Sequence, residues 1–181
     1  MNNPYDFFDE IVCINLESRK DKRKQAENVF NKLNIPAKFY TAIKSPHGGK
    51  YGCFESHINL IRNAYQNGSN NILIFEDDVL PSMYYSIDII NNCINFMKNN
   101  KNWDLFYLGY CSGFPDNIDM IKSIFFPKII KNDICIGKVI YTHAYVVNRP
   151  IMKDILVKSE YYLKNPENII HLDQYFKKFN I

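Results

Sequence analysis

Asn71-Ile72-Leu73-Ile74-Phe75-Glu76-Asp77-Asp78 decides how this chain is read, because four apolar residues run straight into three carboxylates. A short unbroken apolar run predicts a strand covered on both faces, as in a parallel sheet. In open sheets of that kind, ligands collect beyond the carboxyl ends of the strands, and Glu76, Asp77 and Asp78 fall there. Adjacent carboxylates repel one another, so a cation is the natural neutraliser, and hard oxygen ligands suit magnesium, manganese or calcium. Alternation along the strand exit puts Glu76 and Asp78 on one side and Asp77 on the other. Asp78 is therefore expected as a direct metal ligand, with Glu76 helping near the metal or a ribose. A solvated acidic loop that caps the next helix is the competing account of the same residues.

Working outward, Ile11 to Leu16 is a second short apolar run that predicts a buried strand. Ala26, Val29, Phe30 and Leu33 then recur at helical spacing, with charged residues elsewhere around the helix, and Pro36 ends it. Lys38 to Ile43 reads as a strand. Ser45-Pro46-His47-Gly48-Gly49-Lys50 reads as a loop, either a plain surface connection or a lid. A helix is expected from Cys53, closed by Asn67-Gly68 in the manner of a C-cap. Beyond the acidic cluster, Pro81-Ser82 is the expected start of a helix with Ile87, Ile90, Ile94 and Met97 as its core stripe. Strands are expected at Asp104–Gly109, Ile124–Ile130 and Ile134–Tyr141, with a long loop over Tyr110–Asp119. Ala144-Tyr145-Val146-Val147 leads to Asn148-Arg149-Pro150, a helix start with proline in the first turn. This alternation predicts an α/β single domain with a mainly parallel central sheet flanked by helices.

With 181 residues, 46% of them hydrophobic, there is material for one substantial core and one domain, residues 1–181. The formal charge of +3 is spread along the chain and leaves no footprint for nucleic acid. The five cysteines, Cys13, Cys53, Cys93, Cys111 and Cys135, are scattered and form no CxxC motif. That pattern predicts reduced thiols, neither a disulfide framework nor a zinc site, and a cytoplasmic or other reducing intracellular compartment. Met1 to Glu10 lacks the features of a signal peptide, and no run reaches the roughly 20 apolar residues of a membrane span. The last segment, His171 to Phe179, looks helical, and further elements are expected beyond Ile181. Neither GxGxxG, GxxxxGK[ST] nor GxSxG occurs, so dinucleotide, P-loop and nucleophile-elbow chemistries are not indicated. A pyrophosphate bridged by metal is the simplest use of the acidic cluster.

Four ordered segments carry a resemblance to glycosyltransferase family 25, which includes bacterial lipooligosaccharide galactosyltransferases and collagen galactosyltransferases. They are Ile14-Asn15-Leu16-Glu17-Ser18-Arg19-Lys20-Asp21-Lys22-Arg23, Gly52-Cys53-Phe54-Glu55-Ser56-His57, Phe75-Glu76-Asp77-Asp78-Val79, and Ala144-Tyr145-Val146-Val147 with Asp173 downstream. The resemblance implies a GT-A-like fold, a UDP-sugar donor, a manganese (or magnesium) cofactor and inversion at the anomeric carbon. The acceptor it implies is a hydroxyl on a glycan or protein, as in lipopolysaccharide biosynthesis or collagen glycosylation. The family's domain usually runs on past the late aspartate, and here little follows it.

On that resemblance Asn15, Leu16 and Arg19 line the uridine and ribose, with Glu76 and Asp77 part of the donor site. Arg19 and Arg23 are candidates for the diphosphate, since guanidinium pairs phosphate bidentately, although Arg23 also fits a solvated helix surface. Ser56 and His57 near a helix start suit a phosphate or sugar hydroxyl, while His57 equally fits a satisfied core histidine. An inverting transfer needs a carboxylate to take the acceptor's proton, and Asp173 is the candidate base, with a helix cap as its other reading. His171 is a candidate outer metal ligand. Tyr107 and Tyr145 suit stacking on sugar or base, or plain core packing. A nucleotide-sugar hydrolase and a catalytically degenerate binding domain stay open as alternatives.

Overall fold

The computed structural model describes residues 3–83, 85–111, 128–131, 134–136 and 140–179. Strand β1 (Glu10–Leu16) leads into helix α1 (Lys20–Leu33), then β2 (Lys38–Ala42), α2 (Gly49–Asn67) and β3 (Asn71–Glu76). Helix α3 (Ile87–Asn99) and β4 (Leu105–Cys111) follow, then β5 (Lys128–Lys131), β6 (Ile134–Ile136) and β7 (Ile140–Asn148). Helices α4 (Arg149–Lys164) and α5 (Leu172–Phe176) close the order.

The sheet runs β2-β1-β3-β7-β4, with β5 and β6 as a separate antiparallel pair. Strands β2, β1 and β3 are parallel neighbours, whereas β7 is antiparallel to both β3 and β4. The expected mainly parallel sheet is thus corrected to a mixed five-stranded one. Hydrophobic runs report burial but not direction, so the reversal of β7 could not be read from them. Its consequence is functional: the first residues of β7 arrive beside the last residues of β3.

Strand alternation divides the core in two. Ile72 and Ile74 of β3 pack with Val12, Tyr145 and Val147 against Phe54, Ile58 and Ile61 of α2 and Met152 and Ile155 of α4. Leu73 and Phe75 pack on the other face with Cys13, Ala144 and Val146 against Phe30 of α1 and Ile90, Ile94 and Met97 of α3. Each fully buried aliphatic side chain contributes about 1.5–3 kcal/mol, and Ile72 to Phe75 are all buried in β3.

The helix boundaries have local causes. Helix α1 ends at Asn34, whose φ of 54° lets its N–H reach back to the carbonyls of Asn31 and Phe30; Pro36 only follows. Gly48 and Gly49 are not a free loop, since Gly48 is the N-cap of α2, which starts four residues before Cys53. Helix α3 begins after Ser86, whose hydroxyl accepts from the Ile89 N–H, and not at Pro81. Ile87 of the expected stripe is 45% exposed, so the core contacts of α3 come from Ile90, Ile94 and Met97. Residues 112–127, which include part of the expected long loop and strand, lie outside the described residues.

Candidate functional site

The end of β3 is where four elements converge. Asn15, at the end of β1 and 2% exposed, donates from Nδ2 to the Arg19 carbonyl (3.0 Å) and to Asp77 Oδ2 (2.7 Å). One side chain thus shapes the β1–α1 turn and turns Asp77 toward β1. Glu76 lies on the opposite side, 3.4 Å from His57 Nε2 on α2, and its Oε1 also accepts from Thr142 Oγ1 on β7. Asp78 Oδ1 meets His143 Nδ1 at 3.0 Å. The ligand atoms of Glu76, Asp78 and His143 lie within 4.8 Å of one another. Two carboxylates and one imidazole are a donor set that fits a divalent cation such as manganese.

The charges are mutually supporting. Burial opposes ionisation of Glu76, but the hydrogen bond and charge of His57, then Thr142 and His143, outweigh it and hold the carboxyl down to about 2. Burial likewise opposes charging of His57, and Cys53 and Glu76 together overcome it and lift the imidazole to about 9. His143 is held above its usual range chiefly by the hydrogen bond to Asp78. Burial, followed by the nearby Asp77 and Glu76 carboxylates, pushes the Cys13 thiol up to about 12.

Behind Glu76 runs an aromatic relay. His57 is 1% exposed, and its Nδ1 is hydrogen-bonded to the Tyr145 hydroxyl at 2.7 Å. Tyr145 stacks on Tyr107 with ring centres 5.7 Å apart. The Tyr107 hydroxyl is buried without a hydrogen-bond partner among the described residues. Burial and the Asp173 carboxylate both push the Tyr107 phenol upward, which places Asp173 within electrostatic reach of this relay. Asp173 is half-buried in the first turn of α5 and accepts from the Gln174 N–H at 2.7 Å.

The remaining expected site residues have the following surroundings. Arg19 makes a two-pronged ion pair with Asp21, at 2.9 and 2.8 Å, and feels the Asp77 charge. Arg23 pairs with Glu27 at 2.9 Å and lies over the Phe39 ring at 4.3 Å, so its guanidinium is engaged on the helix surface. Leu16 is half-buried at the end of β1. The Ser56 hydroxyl is buried and donates back to the Gly52 carbonyl at 2.7 Å. His171 is the exposed N-cap of α5 and does not join the acidic cluster; the imidazole beside Asp78 is His143. Sequence reasoning missed His143, Thr142 and Cys53. The first two lie just before the Ala144-Tyr145 pair, but only a reversed β7 brings them to β3.

A mixed five-stranded sheet flanked by helices, with an acidic cluster and imidazoles at one strand end, defines an α/β domain with a candidate site at that end. Residues 47–174 match the model of glycosyltransferase family 25 (LPS biosynthesis protein), and the chain belongs to that family. A putative glycosyltransferase of Haemophilus influenzae is 27% identical over 193 residues, which covers 90% of this chain and 64% of that protein. Procollagen galactosyltransferase 1 of Danio rerio is 26% identical over 129 residues, covering 56% of this chain and 21% of the relative. A glycosyltransferase 25 family member of Drosophila melanogaster is 25% identical over 128 residues, with the same 56% and 21%. The chain therefore spans under two thirds of the first of these relatives and about a fifth of the other two. No helix among the described residues is long and apolar enough to cross a membrane.

Proposed function

We propose that this chain is a metal-dependent inverting glycosyltransferase with a GT-A-like fold, moving a hexose from a UDP-sugar to a hydroxyl of a glycan or protein. The observation that carries the reading is the convergence of Glu76, Asp78 and His143 at the carboxyl end of β3. Galactose is the favoured sugar, through likeness to the procollagen galactosyltransferases. Family membership supports sugar transfer, and the described residues contribute the chemistry as follows.

Asp78 and His143, with Glu76 beside them, would hold manganese or magnesium. That cation, when bound, supplies positive charge opposite a departing diphosphate. Asn15 keeps Asp77 turned toward the β1 exit, where the uridine and ribose would lie against Leu16. Arg19, 48% exposed, can exchange Asp21 for a phosphate, because the same two-pronged geometry serves both anions. Ser56 and His57 stiffen the α2 wall of the site. Asp173 takes the proton from the attacking acceptor hydroxyl, and its charge favours the oxocarbenium-like transition state.

Calorimetric titration of a panel of UDP-sugars, with manganese and with chelator, tests the reading on wild type and Asp78→Asn. Binding that needs manganese and is lost in Asp78→Asn is expected. A folded chain that binds no nucleotide-sugar under either condition rejects it.

A further inference from the structure

Cys53 lies one helical turn before His57 on α2, so both side chains project from the same face toward Glu76. The Sγ of Cys53, an imidazole nitrogen of His57 and a carboxylate oxygen of Glu76 all lie within 4.8 Å of one another. Sulfur, nitrogen and oxygen donors converge here from one helix and one strand end. We propose that Cys53, His57 and Glu76 form a second cation site, selective for zinc, on the α2 side of the acidic cluster.

Three geometric features carry this assignment. First, His57 Nε2 and Glu76 Oε1 stand 3.4 Å apart. Zinc–nitrogen and zinc–oxygen bonds of roughly 2.0–2.2 Å set a tetrahedral nitrogen–oxygen edge of about 3.4 Å. Second, the His57 ring is held in place from behind. Its Nδ1 is taken up by Tyr145, and its faces are enclosed, leaving Nε2 directed at Glu76. A hydrogen bond to the far ring nitrogen is the usual support of a metal-bound histidine, while Thr142 fixes Glu76 through the same Oε1 that faces His57. Third, Cys53 is exposed, which provides an entry path and leaves a fourth position for water.

Donor chemistry separates this site from the one at Asp78. Thiolate selects zinc over manganese or magnesium, which prefer carboxylate and water oxygens. The two sites share Glu76, so zinc at Cys53–His57 withdraws the carboxylate from the cation at Asp78–His143. Zinc would therefore act as an inhibitor of the donor site, and this part alone rests on the function proposed above.

Cobalt titration followed by absorbance tests the site directly, because a thiolate ligand gives a near-ultraviolet charge-transfer band. Wild type and Asp78→Asn are both expected to develop the band with one equivalent of cobalt and to lose it when zinc is added. Cys53→Ser should lack the band and bind zinc about tenfold or more weakly, and Tyr145→Phe should weaken zinc about 10–100-fold. Manganese-dependent UDP-sugar binding should survive in Cys53→Ser and be lost in Asp78→Asn, so the two readings fail separately. A band absent from wild type, retained in Cys53→Ser, or abolished by Asp78→Asn overturns the proposal.

Discussion

Replacing His57 with leucine tests the coupling between core and site. The change keeps roughly the same volume but removes two partners at once. The Tyr145 hydroxyl, in a fully buried ring, loses its hydrogen bond to Nδ1, which costs about 1–3 kcal/mol. Glu76 loses its cationic partner, and a fully buried pair broken in this way costs about 3–5 kcal/mol. Glu76 is 27% exposed and keeps Thr142, so about 1–2 kcal/mol is the appropriate share. Leucine regains part of the loss by burying apolar surface, leaving a net destabilisation of about 3 kcal/mol. In a chain of this size that lowers Tm by roughly 6–12 °C.

The pH dependence has a definite sign when measured in chelator, where no cation competes for Glu76. His57 is raised from 6.5 to about 9, so its contribution is complete below pH 6.5 and disappears as pH rises through about 9. Glu76 is lowered from 4.5 to about 2, so its contribution is complete above pH 4.5 and disappears as pH falls through about 2. Urea unfolding of both proteins should show the widest gap between pH 4.5 and 6.5, narrowing on either side. A gap under about 1 kcal/mol at those pH values, or one that does not change with pH, would refute the ion-pair account and leave His57 as packing alone.

Asp173→Asn should lower sugar transfer about 10²–10⁴-fold while leaving UDP-sugar binding intact, as measured by turnover and calorimetry in parallel. Ile74→Ala, at a side chain with no exposed surface in the centre of β3, should cost about 3 kcal/mol by urea unfolding, because the cavity cannot collapse between two helix layers. Gly68→Ala should cost about 1–2 kcal/mol. A methyl group there meets no atom within 4 Å, so the loss is one of backbone conformation at φ 83° and not of packing. Equal stability of Gly68→Ala and wild type in thermal denaturation would contradict that assignment.

Much of this was legible in the chain itself. The run Ile72-Leu73-Ile74-Phe75 marks a strand buried on both faces, and the carboxylates that follow it must stand at that strand's end. Alternation is also local, and Asp77 does face Asn15 while Glu76 and Asp78 face the imidazoles. Helical spacing located α1, α2 and α3, Pro150 marked the start of α4, and Gly68 marked the end of α2. Family likeness followed from ordered short motifs, each weak alone.

What tertiary structure alone decided is direction and long-range partnership. Periodicity measures how a segment alternates between core and solvent, and it is unchanged when the strand is reversed. Only the paired sheet reveals that β7 runs back between β3 and β4. That reversal delivers Thr142 and His143 to residues more than sixty positions earlier. The same blindness explains His171, whose type suggested a ligand but whose place at the head of α5 leaves it exposed and apart from Glu76 and Asp78. Composition and spacing set which side chains a strand end can offer; the pairing of distant strands sets which of them meet.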